Sequence, residues 1–186
     1  MSKEPDIDEA LGFIERKEKE VRREIKATKV VVALLGASGK GLQERRSMAE
    51  ELLRKGVLAF VPEDVMAAEV SPSLLERRIL SAEDLDLAFV NVESWGSASE
   101  FSEFRNDRWI ASRLRVLVER EYHPLYGSSK SYLTDAYLTQ DAVFGHVYMY
   151  RRQADSTNNG TERVPTPRNL VMILSERYLQ WKALVS

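Results

Sequence analysis

Cysteine is absent from the sequence, which excludes disulfide frameworks, thiolate zinc sites and cysteine nucleophiles. Histidine is nearly absent: His123 and His146 are the only two, and they stand too far apart in sequence and pattern for a metal pair to be expected. No apolar stretch approaches the roughly 20 residues that span a bilayer. The first 28 residues are highly charged rather than a basic start followed by an apolar run, so no membrane partner is expected and a cytoplasmic location is. A surplus of basic charge is also missing. Lys and Arg total 27 against 29 Asp and Glu, for a net charge of -2, whereas a surface that grips nucleic acid is basic.

What is present suits a globular chain. Of 186 residues, 44% are hydrophobic and 30% charged, enough to build one core of ordinary size. Over residues 1–28, Ile7, Leu11, Ile14, Val21 and Ile25 form a narrow helical stripe beside the mixed-sign run Glu15 to Glu20. That pattern predicts an N-terminal helix, solvated on one face, which could also serve as a short homodimer seam. After Thr28 the pattern changes, and residues 29–186 read as a single domain.

Val30 to Leu35 is a continuous apolar run, as in a strand buried on both faces. A glycine-punctuated loop follows, then a helix over Leu42 to Lys55 that Gly56 ends. Val57 to Val61 is a second strand, stopped by Pro62, and the strand-helix-strand unit implies a parallel pair. A second unit runs from a helix start at Ser71-Pro72 to a third strand, Leu87 to Val92. A Gly/Ser-rich stretch then precedes a helix over Glu100 to Ala111, with Ser99 as its cap, and a fourth strand over Leu114 to Val118. Further on come a short helix over Tyr132 to Gln140, a partly alternating edge strand over Val143 to Tyr150, a loop over Ala154 to Pro167 and a closing helix over Asn169 to Leu184. The order predicts a three-layer, Rossmann- or flavodoxin-like α/β sandwich with a mainly parallel sheet of about five strands.

Such sheets bind ligands beyond the carboxyl ends of their strands. The first loop there, Gly36-Ala37-Ser38-Gly39-Lys40-Gly41, offers unhindered backbone and one ammonium to a phosphate or ribose; a tight turn explains its glycines equally well. It is neither a Walker loop nor a dinucleotide fingerprint, because Leu34 and Leu42 stand where those motifs need glycine. Arg45, early in the next helix, could reach a phosphate. Pro62 opens the second loop, and Glu93 enters the third. Acids crowd this third region, with Asp86 before the strand and Glu100, Glu103 and Asp107 sharing a helical face. A carboxylate entering a Gly/Ser loop at a strand end suits a nucleophile toward a sugar, although an acid early in a helix is also what the macrodipole favours. Trp95, Trp109, Tyr122, Tyr126 and Tyr132 could stack a base or pack a core.

The glycine loop after the first strand, the Gly56-to-Pro62 strand, Asp86 before a strand and Gly96-Ser97-Ala98-Ser99-Glu100-Phe101-Ser102 together resemble the nucleoside 2-deoxyribosyltransferase-like superfamily over residues 29–120. The resemblance implies Glu100 as the nucleophile on the anomeric carbon of a nucleoside or nucleotide and Asp86 as its supporting acid. It also implies a wall built from Gly36, Ser38, Gly39 and Lys40, with Gly96, Ser97 and Ser99 beside the substrate. Ala98 and Ser102 stand where that family places glycine, which would narrow the pocket. The layout is shared by Toll/interleukin-receptor-like domains that process NAD and by nucleotide-sensing SLOG-like domains. The expected activity is therefore hydrolysis or transfer at an N-glycosidic bond, without a cofactor. The alternatives are a non-catalytic nucleotide sensor and an NAD-processing module.

Overall fold

Six consecutive apolar residues, Val30–Leu35, form β1, and the two-residue period of a strand sends them alternately to two different cores. In the computed structural model, which describes residues 16, 29–65, 77, 79–151 and 165–185, Val30, Val32 and Leu34 join one core and Ala33 and Leu35 the other. The helix expected over residues 1–28 lies outside the described residues apart from Arg16, as do most of the helix begun at Ser71 and most of the loop after Ala154.

The chain continues through α1 (Lys40–Arg54), β2 (Val57–Phe60), α2 (Pro62–Val65), β3 (Leu87–Asn91), α3 (Trp95–Phe104), α4 (Arg108–Arg113) and β4 (Leu114–Glu119). A 3-10 turn at Arg120–Tyr122, α5 (Tyr132–Phe144), β5 (Val147–Tyr150) and α6 (Pro167–Val185) complete it. The five strands pair in the order β2-β1-β3-β4-β5, every pair parallel. On one face α1 and α6 bring Met48, Leu52, Val171 and Leu179 onto Val32, Leu34 and Phe89. On the other, Phe101, Phe104, Ile110 and Tyr137 from α3, α4 and α5 cover Ala33, Ala88, Val90 and Val116. Each such fully buried large side chain contributes about 1.5–3 kcal/mol. The result is the expected three-layer α/β sandwich, with β5 at an edge as its alternation implied.

Three boundaries differ from expectation for local reasons. The helix expected over Glu100 to Ala111 is two helices, and the first begins at Trp95, because Ser94 and not Ser99 is its cap. The second begins where Asp107 Oδ1 accepts from Trp109 N at 3.0 Å and Ile110 N at 3.5 Å, a side-chain cap that restarts the helix. Val143 and Phe144 belong to α5 rather than to the last strand. Gly145, at φ 69°, supplies the left-handed turn that ends α5 and donates its N–H to Asp141 O at 2.8 Å.

Candidate functional site

Beyond β1 the chain turns into α1 on one face of the sheet, whereas beyond β3 it turns into α3 on the other. Neighbouring parallel strands whose connections diverge in this way leave a crevice at their carboxyl ends. Here it is a cleft of about 330 Å³. Leu34, Phe89 and Leu117 of three adjacent strands line it, as do Gly36, Ala37, Gly41, Glu44 and Arg45 from the β1–α1 side. Asn91 and Glu93 enter from the end of β3, Tyr150 and Arg151 from the end of β5, and Thr166, Pro167 and Arg168 from the start of α6.

Arg45 is only 4% exposed, and its guanidinium holds the β1–α1 loop together. Nη1 donates to Leu34 O at 3.0 Å and Glu63 Oε2 at 2.8 Å, while Nη2 donates to Ala37 O at 3.0 Å and Glu63 Oε1 at 2.6 Å. This bidentate pair brings the start of α2 against α1, so the charge expected to meet a phosphate is already matched by Glu63. Beside it, Arg46 binds Asp64, and that hydrogen bond holds the Asp64 carboxyl below its ordinary pKa. Arg168 is likewise engaged, with Glu51 and with Ser47 Oγ.

Gly36 has φ 152°, and a Cβ there would stand 3.5 Å from Asn91 O, 3.6 Å from Asn91 Cβ and 3.8 Å from Arg45 Cδ. Those distances are ordinary van der Waals contact, so it is the backbone angle that glycine serves here. A Cβ on Gly41 would lie 3.5 Å from Glu93 Oε1, so the Glu93 carboxylate stands over the first turn of α1. The cap residue there, Gly39, provides no side-chain bond, and a carboxylate at a helix N-terminus is favoured by the dipole. At the cleft, Asn91 Oδ1 and Arg45 Nε are buried with no hydrogen-bond partner among the described residues.

The α3 side is arranged differently. Ser94 and Ser97 close a reciprocal capping box: Ser97 N donates to Ser94 Oγ at 3.2 Å, and Ser97 Oγ accepts from Ser94 N at 3.0 Å and Glu93 N at 3.1 Å. Ser97 is 1% exposed and serves the helix start. Glu100 follows on α3, half-buried with its Oε2 shielded from solvent, and the cleft lining does not include it. Of the residues singled out by sequence, Gly36, Arg45 and Glu93 meet in the cleft; Ser38, Gly39, Lys40, Pro62, Gly96, Ser97, Ser99 and Glu100 are outside its lining.

Asp86 stands at the other end of the sheet. Preceding β3, it accepts from Val31 N at 2.9 Å and from Lys182 Nζ at 2.8 and 2.9 Å, and Lys182 also donates to Lys29 O. It therefore fastens the end of α6 to the amino edge of the sheet, away from the cleft. A strand carries its two ends to opposite edges, and Asp86 and Glu93 lie on either side of β3.

Among the cleft residues missed by sequence reasoning, Asn91 carried a signal: it is the one polar residue inside the apolar run Leu87 to Val92. Tyr150, Arg151 and the Thr166 to Arg168 turn carried none, since only sheet order places β5 and α6 there. The rings proposed for stacking, Trp95, Trp109, Tyr122, Tyr126 and Tyr132, are exposed on the surface, and the rings that line the cleft are Phe89 and Tyr150. His123 is buried, its Nδ1 accepting from Leu125 N and its Nε2 lying 3.3 Å from Val147 O, which defines a structural, Nε2-protonated imidazole. Burial and the neighbouring Arg115 push the His146 pKa down to about 4. Among the described residues no acidic or histidine cluster could hold a metal ion, and no helix is long and apolar enough to cross a membrane. Neither a protein-family model nor a curated protein matches the sequence.

Proposed function

We propose that this chain binds a nucleoside or nucleotide in the cleft at the carboxyl edge of its sheet and acts on the N-glycosidic bond. The observation that carries the reading is the crevice between β1 and β3, where the glycine loop, Asn91 and Glu93 converge on a space of about 330 Å³. Tyr150 and Phe89 supply aromatic surface for a base, and Gly36 lets a ligand approach the backbone. In the reaction, a carboxylate attacks the anomeric carbon as the C–N bond breaks, and the leaving base takes a proton from solvent that the incoming water or second base gives up in the next step. Water, or a second base, then displaces the carboxylate from the sugar. Glu100 is the proposed nucleophile, on the helix that rises from the same edge. Glu93 is the carboxylate nearer the bound sugar. Asp86, at the opposite edge, takes no part.

A second reading, non-catalytic nucleotide sensing, is favoured by one fact: Glu100 is not among the residues that line the cleft. Chromatography of free base after incubation with nucleosides, nucleotides and NAD separates the two. Base release that Glu100→Gln or Glu93→Gln lowers by 100-fold or more, with the variant still folded, supports the enzyme and names its carboxylate. Thermal stabilisation by a nucleotide with no base released supports the sensor. Neither release nor stabilisation by any member of the panel would refute both.

A further inference from the structure

Two side chains that flank Gly36 each carry a buried polar atom, and the two atoms are of opposite kind. Arg45 has five guanidinium N–H groups; the four on Nη1 and Nη2 are directed at Leu34 O, Ala37 O and the two oxygens of Glu63. Among the described residues the fifth, on Nε, is buried without an acceptor, and Asn91 Oδ1 is buried without a donor. Both side chains line the cleft, and both come within 4 Å of the point where a Gly36 Cβ would stand, at 3.8 Å for Arg45 Cδ and 3.6 Å for Asn91 Cβ. Leaving such atoms unpaired costs about 1–3 kcal/mol each.

We infer that this pair is the seat of a neutral sugar hydroxyl, and that the ligand meets the Gly36 corner with its sugar and not with a phosphate. A hydroxyl accepts from Arg45 Nε–H and donates to Asn91 Oδ1 with one neutral atom, whereas the dianion of a phosphate monoester is acceptor-only and would oppose the amide oxygen. The electrostatics agree. The Arg45 charge is matched by Glu63, that of Arg168 by Glu51, and the first turn of α1, where an anion would otherwise sit, already faces Glu93 Oε1. This rests on the nucleoside or nucleotide reading of the cleft for the identity of the ligand, but the hydroxyl requirement is a property of Asn91 and Arg45 themselves.

The test is calorimetric titration of the full chain with adenosine, cytidine, their 5′-monophosphates, D-ribose and inorganic phosphate, on wild type, Asn91→Leu and Asn91→Asp. A nucleoside should bind Asn91→Leu at least tenfold more weakly and Asn91→Asp within about threefold of wild type, since aspartate keeps the acceptor. Inorganic phosphate should not displace it. Asn91→Leu should melt no lower than wild type, because it removes an unsatisfied buried acceptor. Undiminished nucleoside binding by Asn91→Leu, displacement by inorganic phosphate, or loss of binding in Asn91→Asp would overturn the inference. If no nucleoside or nucleotide binds, the nucleotide reading falls. D-ribose then decides this one: binding that Asn91→Leu abolishes upholds it, and no binding overturns it.

Discussion

Arg45 illustrates how a single buried side chain is assigned its role by its neighbours. From sequence it is a cation early in a helix behind a glycine loop, the usual position for a phosphate contact. In the fold, Glu63 and two loop carbonyls surround it, which makes it a brace for the loop. Removing the Arg45 guanidinium leaves the Leu34 and Ala37 carbonyls without their donor and frees Glu63, which is exposed, to solvent. Arg45→Met should therefore lose about 1–3 kcal/mol in urea unfolding, and the double variant Arg45→Met, Glu63→Met should regain only a small part of it, because the Glu63 carboxylate reaches solvent. A loss below about 1 kcal/mol would mean that the brace is not needed. What was readable here was the position of Arg45 on the first sheet helix; the partner 18 residues away was not, because that pairing depends on α2 folding back over α1.

At the scale of elements, α3 shows why the start of a helix within a Ser-rich stretch is hard to place. Ser94, Ser97 and Ser99 are all acceptable caps by residue type, and the choice depends on which hydroxyl can reach a free N–H three residues on. Ser94 does so, with Ser97 returning the bond. The helix consequently starts five residues before Glu100, and Glu100 lies in its second turn instead of at its tip. Ser94→Ala should cost about 1 kcal/mol, visible as a lower urea midpoint with an unchanged slope, while Ser99→Ala, at an exposed helical position, should cost little. Equal losses from the two substitutions would contradict this assignment of the cap.

For the whole molecule, the decisive relation is that a parallel sheet has a binding edge and a closing edge. Glu93 and Asp86 are seven residues apart in number yet are separated by β3, so they belong to opposite edges. At the closing edge, Asp86 joins the end of α6 to the starts of β1 and β3 through Lys182 and Val31. Asp86→Asn should then lower stability by about 1–2 kcal/mol, given its partly exposed partner. It should leave nucleoside binding in calorimetry within about twofold of wild type. A binding defect without a stability defect would return Asp86 to a functional role.

The sequence by itself determined the layers and most of the strands. Continuous apolar runs such as Val30 to Leu35 suit a strand covered on both faces, and glycine and proline mark where such runs end. It also located the glycine loop and Glu93, because strand-to-helix loops in a parallel sheet must open on one edge. Tertiary structure alone decided which of these residues share a cleft. The order β2-β1-β3-β4-β5 brings Tyr150 and the start of α6, more than 100 residues along the chain, to the cleft that Gly36 also lines. Local pattern does not encode that approach: hydrophobic period reports which face a residue occupies, whereas neighbourhood across the sheet follows from the order in which the strands pair.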